Sequence, residues 1–160
     1  MTHRQTLSKT ERLKSYKRIR ILFAQGQKFK VFPLVVYFLL RDEKVEGGLE
    51  RLREVNSVEE VEGVEEVEGV EGVLQMGVSV GKKHFKRAVD RNLLKRRIRE
   101  AYRKQKLELK ETLMASGISM DVFFVYSNAR ISDYAEIELA MQQGLTVLLE
   151  KVKKQTSRTE

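Results

Sequence analysis

The sequence predicts an α+β fold in which helices pack on a small sheet, and three observations predict it. The 160 residues are 41% apolar and 34% charged, enough for one core under a charged surface, and such a length is most simply one domain. Short apolar runs of strand length alternate with stretches whose apolar residues recur at helical spacing. Their order is helix, strand, strand, helix, strand, helix, the pattern of a sheet covered by helices.

Each element has its own signal. Ser15 to Gln25 reads as a helix because Ile19, Leu22 and Phe23 share one face, and Gly26 is its stop. Leu34 to Leu40 has the β-branched and aromatic content of a strand. Its two side-chain sets, Val35/Tyr37/Leu39 and Leu34/Val36/Phe38/Leu40, leave neither face polar. Leu74 to Val80 alternates, with Leu74, Met76, Val78 and Val80 on one face and Gln75, Gly77 and Ser79 on the other. A basic helix is expected within Lys86 to Leu109, and Val122 to Tyr126 is a third apolar strand. The last helix starts near Asp133, with Glu136 completing a capping box. Its apolar stripe runs through Ile137, Met141, Leu145, Leu148 and Val152, and the polar tail from about 153 is expected to be frayed.

Composition excludes several functions. The absence of Cys removes disulfide scaffolds, thiolate nucleophiles and Cys-ligated zinc. Two distant histidines, His3 and His84, are too few for a His-based metal site. The longest wholly apolar run, Leu34 to Leu40, is far short of the roughly 20 residues of a membrane span. No apolar stretch follows the basic start, so no secretory signal is expected and the location expected is cytoplasmic.

The charge is segregated. Lys and Arg number 31 against 23 Asp and Glu, a net +8, which favours a polyanionic partner. From Asp42 to Gly72, however, twelve acids face three bases, a net of −9, leaving 28 bases and 11 acids, or +17, in the remainder. That acidic stretch repeats Val58-Glu59-Glu60-Val61-Glu62-Gly63, then Val64-Glu65-Glu66-Val67-Glu68-Gly69, then Val70-Glu71-Gly72. Valine at every third position fits neither helix nor strand, and each unit carries glycine. The expected organisation is one domain over 1–160 with a low-complexity acidic insertion at about 43–73. The insertion reads as a solvated extension; an autoinhibitory strip lying on the basic surface is the alternative.

Between Lys82 and Lys106 lie twelve bases and two acids, Asp90 and Glu100. On a helical wheel Arg91, Asn92, Lys95, Arg96, Arg99 and Arg103 occupy one arc of about 140°. Leu94, Ile98 and Ala101 lie opposite. Solvated helices interleave both signs, and an acid-free arc is a surface for phosphates. Arg grips them bidentately, Lys is a point charge, and Asn can read a base edge or a 2′-hydroxyl. On these residues alone the chain is an RNA or DNA binder.

The run Val78-Ser79-Val80-Gly81-Lys82-Lys83-His84-Phe85-Lys86-Arg87-Ala88-Val89-Asp90-Arg91-Asn92-Leu93-Leu94-Lys95-Arg96-Arg97-Ile98-Arg99-Glu100 closely resembles the signature of the bacterial ribonuclease P protein component. Arg12-Leu13-Lys14, Phe23, Gly26, Tyr37 and Asp121 extend the likeness to about 120 residues. The resemblance implies the order α-β-β-β-α-β-α, a small mixed sheet packed with three helices, in a ribosomal-protein-S5-domain-2-like sandwich. It implies an accessory subunit of a ribonucleoprotein endoribonuclease that removes the 5′ leader of precursor tRNA. By the same resemblance the RNA subunit would carry the chemistry and hold most of the Mg2+, and no protein catalytic or metal-binding residue is expected. The implied partners are that catalytic RNA and precursor tRNA, with no membrane and no protein partner required. Lys82, Lys83, Lys86, Arg87, Arg91, Asn92, Lys95, Arg96, Arg99 and Arg103 would dock on RNA. Ile19, Phe23, Tyr37, Phe123 and Val125 would line a cleft for the single-stranded leader, where aromatic faces suit unstacked bases. Ile19 stands where many relatives have an aromatic residue, and Ser127 where they often have Arg. The competing readings are a non-enzymatic RNA-binding module of ribosomal or translation-factor type, and a basic-helix DNA binder.

Overall fold

A computed structural model of the chain describes residues 7–42 and 73–158. A short helical turn, Lys9–Glu11, leads into α1 (Tyr16–Gln25), β1 (Gln27–Val31) and β2 (Leu34–Asp42). After the acidic stretch come β3 (Leu74–Val80), α2 (Ala88–Gln105), α3 (Leu107–Ser116), β4 (Ile118–Tyr126) and α4 (Tyr134–Arg158). The four strands form one mixed sheet in the order β1-β2-β4-β3. β1 with β2 and β2 with β4 are antiparallel, and β3 with β4 is parallel, so α2 and α3 together form the crossover between β3 and β4.

The sheet is apolar on both faces because β2 and β4 each send alternate side chains to different cores. Leu34, Val36 and Phe38 of β2 and Val122 and Phe124 of β4 pack against Leu94, Ile98 and Tyr102 of α2 and the α4 stripe. All five expected stripe residues of α4 are buried there. The intervening positions, Tyr37, Leu39, Phe123 and Val125, meet Leu13, Ile19 and Leu22 on the opposite face in a smaller cluster. A single strand such as β4 therefore supports two surfaces at once.

Three findings differ from the expected layout, and one expected strand has no apolar run of its own. β1 is invisible to an apolar-run search because only Phe29 and Val31 of Gln27–Val31 point to the core side; the family resemblance supplied this strand. The basic helix, Ala88–Gln105, lies within the expected range, but a further helix, α3, follows it, making four among the described residues instead of three. Lys106 sits at the break and turns inward to Glu11, while Leu109 and Leu113 give α3 its own buried stripe. Gln75 and Gly77 are buried, because the N-terminal segment covers their face. Leu13 N–H donates to the Met76 carbonyl at 2.8 Å and Gln75 Nε2 donates to the Thr10 carbonyl at 3.0 Å. Finally, the tail expected to fray from about 153 continues α4 to Arg158. Val152, fully buried, anchors that last part of the helix. At its other end Asp133 Oδ1 accepts the Glu136 N–H at 2.9 Å, the expected cap.

Of the acidic insertion, residues 43–72 lie outside the described residues. Its flanks are placed: Asp42 pairs with Ile118 and Leu74 with Met120, so the stretch joins the two strands on either side of β4.

Candidate nucleic-acid interface

α2 is fixed by burial of Leu94, Ile98, Ala101 and Tyr102, and that decides which arc faces water. Asn92, Arg96 and Arg99 are exposed, while Arg91, Lys95 and Arg103 are half-buried. The preceding loop holds Lys82, Lys83, Lys86 and Arg87 in solvent. Phe85 anchors it, packing on Tyr126 with ring centroids 5.8 Å apart. The ten expected RNA-facing residues thus lie on one helix and the loop that leads into it.

Two of them have internal partners. Arg91 Nη1 donates to the carbonyls of Phe85 at 2.7 Å and Lys86 at 2.9 Å, clamping the loop onto the first turn of α2. Arg103 grips Glu100 through Nε and Nη2, at 3.0 and 2.6 Å. The Arg103 hydrogen bond pulls the Glu100 carboxyl below its usual value and keeps it ionised. Much of the Arg103 charge is therefore matched within the helix. Arg97, on another side of α2, donates to the Ser132 carbonyl at 2.6 Å and holds the β4–α4 loop against the helix.

The N-terminal segment completes this surface. Arg12 and Leu7 join Asn92, Arg96, Arg99, Glu100 and Arg103 around an open depression. Their position rests on Glu11, which is buried and paired with both Lys106 and Lys110, the latter at 3.2 Å. Burial alone would raise the Glu11 carboxyl. The hydrogen bonds and charges of the two lysines outweigh that effect and hold it below its ordinary range. Burial and the nearby Glu11 charge push the Tyr102 hydroxyl far up, so it stays protonated.

On the opposite face of the sheet lies the second candidate site. Phe23 of α1 is 42% exposed and meets Tyr37 with centroids 4.5 Å apart at 60°, and Phe123 at 5.1 Å and 65°. Such edge-to-face contacts suit aromatic quadrupoles. Ile19, Tyr37 and Val125 are half-buried beside them, whereas Phe123, at 8% exposure, is mostly floor. All five expected cleft residues therefore meet. The sheet register adds Val35 opposite Val125, with Lys30 beside Val35 and Lys28 beside Tyr37. Both lysines are exposed and flank the apolar floor. They were missed as site residues, although alternation of Lys28 and Lys30 with Phe29 and Val31 is a period-two signal.

Several contacts hold α1 over this floor. Leu22 is fully buried, and Ser15 Oγ caps the helix by accepting the Arg18 N–H at 3.4 Å. Arg18 and Arg41 both reach the buried Asp121, at 2.6 and 3.1 Å. Gly26 allows the chain to turn tightly into β1: a Cβ there would lie 2.4 Å from the Leu22 carbonyl oxygen and 2.8 Å from that of Phe38.

The same chain thus carries a cationic helix face on one side of its sheet and an aromatic cleft on the other. Among the described residues no three His, Asp or Glu side chains gather as a metal cage, and no helix is long and apolar enough to cross a membrane.

The sequence model of the Ribonuclease P family matches residues 7–149. The chain belongs to that family. Ribonuclease P protein components from two strains of Porphyromonas gingivalis, ATCC 33277 and W83, are each 34% identical to it. Each alignment spans 87% of this chain and 83% of the relative. The fold of this ribonuclease P protein is also that of solved relatives. A Staphylococcus aureus ribonuclease P protein superposes with a TM-score of 0.54 at 19% identity, covering 86% of this chain and 94% of the other. A mutant of the Staphylococcus aureus protein with defective mRNA degradation activity gives a TM-score of 0.57 at 18% identity, covering 88% and 89%.

Proposed function

We propose that this ribonuclease P protein docks on the catalytic RNA subunit through α2 and the loop before it, and holds the 5′ leader of precursor tRNA in the α1–sheet cleft. The observation that carries this reading is the placement of the two surfaces on opposite faces of one sheet. β4 lies under both, so one rigid element can register a bound RNA against a bound single strand. Exposed Arg96, Arg99 and Asn92 supply phosphate and base-edge contacts, and Lys82, Lys83 and Lys86 add point charges. In the cleft, Phe23 and Tyr37 offer ring faces and Lys28 and Lys30 meet phosphates, a combination that binds unpaired nucleotides with little sequence demand.

In this reading the endonucleolytic chemistry and the Mg2+ belong to the RNA, and the protein works in the cytoplasm. The protein contributes by neutralising phosphates where two polyanions meet, which raises affinity for the substrate and for the ions around it. Reconstitution with the catalytic RNA and precursor tRNA at low magnesium tests this directly. Stimulated leader removal is expected; RNA binding without stimulation would instead favour a non-enzymatic RNA-binding module.

A further inference from the structure

Outside the cleft, the outer side of α1 carries a charged aromatic feature that packing does not explain. From Arg12 to Arg41 there are eight bases and no acid. Tyr16, at the first turn of α1, is 61% exposed, and the Arg20 guanidinium lies over its ring, 5.8 Å from the centroid. Lys14, Lys17 and Arg20 are exposed, and among the described residues no carboxylate pairs with them. An exposed ring with a guanidinium on its face is a poor packing element but a flat, cationic stacking surface.

Helix geometry ties this pair to the cleft. Measured from Ile19, Phe23, Tyr16 and Arg20 lie about 40°, 60° and 100° round α1 in the same sense, a single stripe. Phe23 closes the stripe at the cleft, and Tyr16 begins it about 10 Å away along the axis. Lys17 continues the charge beyond it, and the capped N-terminus of α1 adds its partial positive charge at the same end.

We propose that Tyr16 and Arg20 form an additional subsite for single-stranded RNA, taking nucleotides of the leader that lie beyond those in the cleft. A base stacks on the Tyr16–Arg20 pair, and Lys17 and Arg20 meet the adjoining phosphates. The subsite rests on the cleft reading above and lengthens the strand path along α1. It adds affinity only for substrates whose leader is long enough to reach the first turn of the helix.

The test uses reconstituted holoenzyme and a series of precursor tRNAs with leaders of increasing length, together with leaderless tRNA. Tyr16→Ala should weaken binding of long-leader substrate by about tenfold and leave short-leader and leaderless substrates unchanged. Tyr16→Phe should restore long-leader binding, because only the ring is needed. Arg20→Ala should lower the salt slope for the long-leader substrate by about 0.7. Thermal unfolding of each variant should match the parent, since both side chains are exposed. Equal binding by Tyr16→Ala and parent at every leader length, with Phe23→Ala still impaired, overturns the subsite and leaves the cleft standing. An unimpaired Phe23→Ala would sink both. A loss that is the same on leaderless tRNA also overturns the leader subsite, and assigns the pair to the catalytic RNA instead.

Discussion

In the proposed function the α2 face and the α1–sheet cleft share one task, holding RNA, with opposite materials. On α2 the apolar stripe is fully buried and Asn92, Arg96 and Arg99 are held out in water, so each of these positions acts almost alone. In the cleft the corresponding residues are partly in the core, and Phe23 touches both Tyr37 and Phe123. Changes at the exposed positions of the helix face should therefore alter RNA affinity without unfolding anything, whereas changes in the cleft should move affinity and stability together.

The largest break in that contrast is Leu22→Ala. Leu22 has no exposed surface and pins α1 to the sheet, so its loss should cost about 2–5 kcal/mol in denaturant unfolding. A destabilisation below 1 kcal/mol would show that α1 is not seated by this residue. Phe23→Ala comes next: losing the ring should cost about 1–3 kcal/mol of affinity for leader-bearing substrate. Titration of the holoenzyme with precursor and mature tRNA checks it, and equal losses on both would remove Phe23 from leader binding.

Arg91→Ala sharpens the other side. Hydrogen bonds from a charged group are each worth about 1.5–3 kcal/mol, but this clamp is partly exposed, so a total of about 1–2 kcal/mol is expected. Amide hydrogen exchange of the free protein should accelerate across Lys82–Arg87, and unchanged protection there would refute the clamp. Arg96→Ala should leave stability within about 0.5 kcal/mol and lower the salt slope of RNA binding by about 0.9. Were the slope to stay put, Arg96 would face solvent and not phosphate.

Acidification gives the smallest effect near neutrality. The folded Glu11 carboxyl titrates below its unfolded value, so its ion pairs stabilise the protein at all pH values above the ordinary carboxylate range. That contribution should fade as pH falls through the unfolded value toward the lower folded one. Glu11→Gln should flatten the acid limb of an unfolding curve, and a limb identical to the parent's would count against the pairing.

The legible parts of the molecule were those written within one element. The α2 arc could be read because 3.6 residues per turn gather the bases on one arc and leave Leu94, Ile98 and Ala101 outside it, all inside one helix. Glu100 and Arg103, three residues apart, were equally open to reading as a pair. The Arg91 clamp was not, because its acceptors are backbone carbonyls, which carry no residue label. Lys28, Lys30 and Val35 acquire meaning only once β1, β2 and β4 are in register. Arg12 joins the α2 depression only through tertiary packing. The buried Gln75 and Gly77 follow from the same cause: the segment that covers them is more than sixty residues distant in sequence.

The Glu11–Lys106 pair also carries a consequence in time. Its two members are 95 residues apart, so a chain emerging from the ribosome exposes the N-terminal turn long before its partner exists. At about 5–20 residues per second that interval lasts roughly 5–20 s. Throughout it Glu11 and Leu13 have no burial site, and the depression beside α2 has no N-terminal wall. The surface proposed to face RNA is completed late, after Lys106 has left the exit tunnel, so a nascent chain cut short before α3 should present its basic helix without the segment that borders it.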